Sequence, residues 1–113
     1  MYQDKIVLCG ANSYEEKYYL NPDFENLPQH IKDELKIMSV LYVHDVGGIL
    51  TLVFEEDGVL KFEVTAEEGD PMFDEIGSRL KIKQLQNDPE KQELLEQLQL
   101  YYRVFFLGED FNE

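Results

Sequence analysis

The sequence predicts an α+β domain: a four-stranded antiparallel sheet made of two hairpins, with two to three helices packed mainly on one face, in the order ββ-α-ββ-α-α. Three observations predict it. Residues 48–66 alternate apolar and polar side chains on either side of Glu56-Asp57-Gly58, which is the pattern of a hairpin. Residues 28–44 and 88–108 repeat apolar side chains at steps of three and four, which is the pattern of helices. The chain has 113 residues, 43% of them hydrophobic, enough for one domain with its own core.

Residues 5–11 (KIVLCGA) form a short apolar run with β-branched members, bounded by Asn12-Ser13; they read as a strand and a turn. Residues 15–20, with tyrosines suited to a pleated surface, complete the first hairpin. Asn21-Pro22 ends it, because the residue before proline is pushed towards extended backbone. Leu27-Pro28 then opens a helix to about His44, with Ile31, Leu35, Met38 and Leu41/Tyr42 as its apolar stripe and Gly47-Gly48 as its stop.

In the second hairpin parity fixes the register. A two-residue Asp57-Gly58 loop would set Phe54 opposite Lys61 and Leu52 opposite Glu63, mixing charge into the apolar face. A three-residue Glu56-Asp57-Gly58 loop sets Phe54 opposite Leu60, Leu52 opposite Phe62 and Leu50 opposite Val64, with Gly58 at the left-handed bulge position. The longer loop is therefore expected. Asp70-Pro71 gives a cap-then-proline signal for another helix. There, Phe73, Ile76 and Leu80 share one face and Ile82 and Leu85 the opposite one, which fits either a kink near Gly77-Ser78 or two short elements. The last helix has Asp88 as N-cap, Pro89 in its first turn and Gly108 at its end. Beyond Leu100 it is apolar all round, so its last two turns are expected to be covered, by the chain's own sheet and helices or by a second subunit.

The totals bound the function. A net charge of −14 repels phosphate backbones and anionic membranes, so neither nucleic acid nor a membrane surface is an expected partner. One cysteine allows no internal disulfide and suits a reducing compartment. With neither a basic leader nor an apolar run of about 18 residues, the cytoplasm is the expected location.

Candidate chemistry is sparse. The acidic stretch 55–75 offers Asp57, Glu67, Glu68, Asp70 and Asp74 as oxygen ligands for a divalent cation. The EF-hand pattern fails there, because setting Gly58 or Gly69 at the sixth loop position puts Val53 or Val64 at the first. Cys9, His30 and His44 lack zinc spacing, and no cofactor motif is present. Cys9 with His44 and Asp45 would be a nucleophile only if strand and helix end met; inside IVLCG it reads as a buried small hydrophobe. Gly47-Gly48 precedes a strand and offers no helix N-terminus to a phosphate. Arg79, Lys81 and Lys83 form a basic island, read as a solvated face or a dock for an acidic partner. Tyr101, Tyr102, Val104, Phe105 and Phe106 are the interface candidates, since aromatics serve both cores and interfaces.

Asn12-Ser13-Tyr14, Tyr18-Tyr19-Leu20-Asn21, Val46-Gly47-Gly48, Asp74-Glu75-Ile76-Gly77 and Tyr101-Tyr102 with Phe105-Phe106-Leu107-Gly108 resemble motifs of a family of small, acidic, uncharacterised bacterial proteins of unknown function. The resemblance spans nearly the whole chain. It implies a bacterial cytoplasmic protein with no assigned activity and carries over no catalytic residue. The leading functional expectation is a non-catalytic interaction or structural module whose partner is either an unknown protein or a second copy of the chain, joined as a homodimer through the aromatic C-terminal helix. The alternatives are a ligand- or cation-binding domain built on residues 55–75 and an enzyme of unrecognised type.

Overall fold

The computed structural model describes residues 5–109. Its order is β1 (Ile6–Asn12), β2 (Lys17–Leu20), a 3-10 turn (Pro22–Phe24), α1 (Gln29–Val46), β3 (Ile49–Phe54), β4 (Leu60–Thr65), α2 (Glu75–Asn87) and α3 (Pro89–Phe105). The four strands form one antiparallel sheet in the order β2-β1-β3-β4. This is the α+β architecture that the alternating and helical periods predict.

The β3–β4 register is the one parity requires: Leu50 faces Val64, Leu52 faces Phe62 and Phe54 faces Leu60. Gly58 takes the left-handed conformation (φ 89°) that closes the loop, and its N–H donates to the carbonyl of Glu55. The central β1–β3 pairing joins the two hairpins. It contains a bulge at Leu8, which places Leu8 and Cys9 together on the core side.

One face of the sheet carries the core. Leu8, Cys9, Ala11, Leu50, Leu52, Phe54 and Leu60 meet Ile31, Leu35, Met38 and Tyr42 of α1 and Leu94, Leu98 and Tyr102 of α3. α1 lies over β1, β2 and β3, α3 reaches β4, and α2 touches both helices. The opposite face holds Val7, Tyr19 and Thr51 beside Lys5, which bridges Glu63 (2.6 Å) and Glu55 (3.7 Å).

α1 stops at Gly47, whose φ of 80° few other residues accept. The start of α2 differs from the sequence expectation. Asp70-Pro71 opens no helix; α2 begins at Glu75, and Asp74 caps it by accepting the N–H of Gly77 at 2.8 Å. Two causes hold residues 70–73 out of the helix. The Asp70 carboxylate accepts the Tyr14 hydroxyl and the Met72 N–H, and the Asp74 N–H donates to the Val46 carbonyl at the end of α1. α2 is one continuous helix, with Gly77-Ser78 in its first turn rather than at a kink. Its two apolar faces divide: Ile82 and Leu85 pack on the core, while Ile76 and Leu80 face solvent.

Candidate docking surface

α3 is positioned at both ends by the residues expected to do so. Asp88 accepts the Glu90 N–H at 2.9 Å, Pro89 occupies the first turn, and Gly108 turns left-handed at φ 74°. Between them the helix crosses the sheet edge, where the Gln99 side chain accepts the Leu60 N–H at 2.8 Å. Leu94, Leu98 and Tyr102 are its buried stripe.

The interface candidates separate into distinct environments. Tyr102 is core: its ring lies parallel to Phe54 at 4.2 Å between centroids, and burial raises its hydroxyl pKa. Phe106 stacks on Phe24 at 4.7 Å and on Tyr102 at 5.1 Å, yet stays 38% exposed. Tyr101 and Val104 are half-buried. Phe105 touches Tyr101 at 4.7 Å and is 71% exposed. Leu107 follows at 41%, beside the hairpin loop, where a Cβ on Gly58 would meet Arg103 and Leu107.

The expected covering of the last two turns is therefore incomplete within this chain. The physical reason is length. The helix ends level with the β3–β4 hairpin tip, so Phe105 and Leu107 have no sheet beneath them. The result is an apolar end made of Phe105, Phe106 and Leu107. Its surroundings are acidic: exposed Asp23 and Glu25 flank Phe24, exposed Glu56 and Asp57 precede Gly58, and Glu109 pairs with Arg103 at 3.5 Å.

Sequence reasoning missed Phe24, which holds the aromatic stack together as a fully buried ring. The available signal was Asn21-Pro22-Asp23, an Asn cap followed by proline in the first turn, in which the Asn21 side chain accepts the Asp23 N–H at 3.0 Å.

The acidic stretch does not gather. Asp57 binds the Val59 N–H, Asp70 serves Tyr14 and Met72, Asp74 caps α2, and Glu67 and Glu68 stand in solvent. The Tyr14 hydroxyl and the Met72 N–H hold the Asp70 carboxyl below its ordinary value. Among the described residues no group of three His, Cys, Asp or Glu side chains could hold a metal ion.

Cys9 is buried with its Sγ 4.0 Å from Ser39 Oγ, and burial pushes the thiol up to about 11. His44 and Asp45 are exposed at the end of α1, and Asp45 is held by Lys81 at 2.9 Å, which lowers its pKa. His30 lies exposed in the first turn of α1. In the basic island, Arg79 pairs with Glu75 at 3.1 Å and Lys83 is exposed. Gly48 is packed against Thr65 and Phe73 immediately before β3.

A family model for DUF6145, a family of unknown function, matches residues 5–110. The chain belongs to DUF6145. No curated protein and no solved structure matches it. Among the described residues of this DUF6145 chain, no helix is long and apolar enough to cross a membrane.

Proposed function

We propose that the DUF6145 chain is a non-catalytic interaction module that docks a partner on the apolar end of α3. The observation carrying this is a 71%-exposed Phe105 set beside Leu107 and Phe106 at the end of a helix whose other apolar residues are packed. Burying such an aromatic is worth about 1.5–3 kcal/mol, so a surface of this kind rewards coverage.

Charge selects the occupant. Two copies meeting through this end would bring Asp23, Glu25, Glu56 and Asp57 against their own counterparts, and like charges across an interface are costly. A partner helix with an apolar face flanked by lysine or arginine would meet complementary charge. The expected partner is therefore a basic amphipathic helix rather than the homodimer that the aromatic pattern alone suggests.

The test is calorimetric titration, at physiological salt, with a synthetic leucine–lysine peptide of helical periodicity and its leucine–glutamate counterpart. Saturable binding of the basic peptide alone is expected, weakened about tenfold by the double substitution Phe105→Ser and Leu107→Ser. Equal affinity of wild type and variant removes the proposal. A wild-type dimer in sedimentation that Phe105→Ser dissociates hands the surface to a second copy.

A further inference from the structure

The β1–β2 hairpin and the second half of α1 enclose a groove of about 590 Å³, within the range of small-molecule sites. Its apolar lining is the buried Val43 of α1 and Ala11 of β1, the half-buried Tyr18 of β2 and the exposed Val40 of α1. Its rim carries the ammonium groups of Lys17 and Lys36 beside the His44 imidazole, with Glu16 as the acid among the lining residues. The chain as a whole has 24 acidic and 10 basic residues, so the sign of the groove is inverted relative to the rest of the surface. Among the described residues no carboxylate pairs with Lys17 or Lys36.

The neutral groups at the rim add donors. Asn12 spends its carbonyl oxygen on the N–H groups of Tyr14 (2.8 Å) and Glu15 (3.1 Å), which leaves its NH₂ group available, and Ser13 adds a hydroxyl. The wall is held in place before any ligand arrives. The Tyr14 hydroxyl donates to Asp70 and accepts from the Glu67 N–H at 3.0 Å, tying the hairpin tip to the 66–70 loop. Beneath, the Tyr18 hydroxyl is buried beside the Cys9 thiol without a hydrogen bond of good geometry, so the ring presents its apolar body to the groove.

We propose that this groove binds a small organic carboxylate. The head group sits among Lys17, Lys36 and His44, and an acyl or aryl body lies over Val40 and Val43. Two ammonium groups and donor-rich neighbours favour an anion, and charge-assisted hydrogen bonds to it are the strong kind. Glu16 on the same rim disfavours a dianionic phosphate, and the apolar walls require a body beyond the head group.

Octanoate, octanamide and inorganic phosphate, titrated into the full chain and followed by backbone amide chemical shifts, test this. Octanoate is expected to give saturable shifts confined to residues 11–18 and 36–44, with octanamide about tenfold weaker. The double substitution Lys17→Gln and Lys36→Gln is expected to weaken octanoate by a similar factor while amide shifts outside residues 11–18 and 36–44 stay in place. Equal binding of octanoate and octanamide, phosphate binding as tightly as octanoate, shifts centred on Phe105, unchanged affinity in the double variant, or no saturation by about 10 mM would each overturn the proposal.

Discussion

Cys9 shows how one buried side chain writes itself into the pH dependence of the whole chain. The unfolded thiol ionises near its ordinary value of 9.0, while the folded thiol keeps its proton to about 11. Between those values the native state binds the extra proton, so stability falls as pH rises, with an upper bound of about 2–3 kcal/mol. Cys9→Ala is expected to flatten that part of a stability-versus-pH curve measured by urea unfolding. An unchanged slope would refute the assignment. At Gly48, conformation and space act together: φ is 78°, and a Cβ would lie 2.7 Å from the Thr65 carbonyl. Gly69 has a similar φ of 77° with nothing within 4 Å. Gly69→Ala should cost about 1–2 kcal/mol from backbone strain alone, and Gly48→Ala roughly 3–4 kcal/mol with overpacking added. Equal losses in a denaturant series would mean that crowding at Gly48 is relieved by movement.

The elements differ in how far they could be read from residue order. The second hairpin was fully legible, because a period of two and a glycine in the loop leave one register that keeps charge off the buried face. α3 was legible at its ends for the same local reason: caps act within one turn. The start of α2 was not. Asp70-Pro71 and Asp74 are both plausible caps, and what decides between them is Tyr14, 56 residues away from Asp70, claiming the first carboxylate. The candidate site was half legible. That Tyr102 is core and Phe105 is surface depends on where the sheet stops beneath the helix, which periodicity cannot express. The division predicts a measurable asymmetry. Phe106→Ala removes stacking on Phe24 and Tyr102 and should cost about 1.5–3 kcal/mol in urea unfolding. Phe105→Ala should stay within about 0.5 kcal/mol while weakening docking, by less than the roughly tenfold expected of the Phe105→Ser and Leu107→Ser double variant. A larger loss at Phe105 would make it a packing residue and empty the proposed surface.

For the molecule as a whole, charge is the dominant long-range term. The ion pairs at the surface, such as Arg79–Glu75 and Lys81–Asp45, are solvent-exposed to a large degree and contribute little. A net charge of −14 therefore acts mainly as self-repulsion. Raising salt from about 0.01 to 0.15 M shortens the screening length from about 30 to about 8 Å. The melting temperature should rise over that range by a few degrees and then level off; a fall would show that local pairs outweigh the repulsion. The sequence carried this net charge openly but hid its distribution. Lys17 and Lys36 lie 19 positions apart and come together only when the β1–β2 hairpin lies along α1.

The bulge at Leu8 makes that residue a spare rung. Without it, Ile6, Val7, Cys9, Gly10 and Ala11 would alternate strictly inward and outward, opposite Phe54, Val53, Leu52, Thr51 and Leu50 as they already stand. A chain shortened by this single position should zip into the same ladder, with no side chain upstream changing sides and only one leucine lost from the interior. Excising Gly10 instead would use up the same spare residue at a cost, with Leu8 taking the inward slot opposite Leu52 and Cys9 turned outward opposite Thr51, so Leu8 is the position whose loss should disturb the strand least.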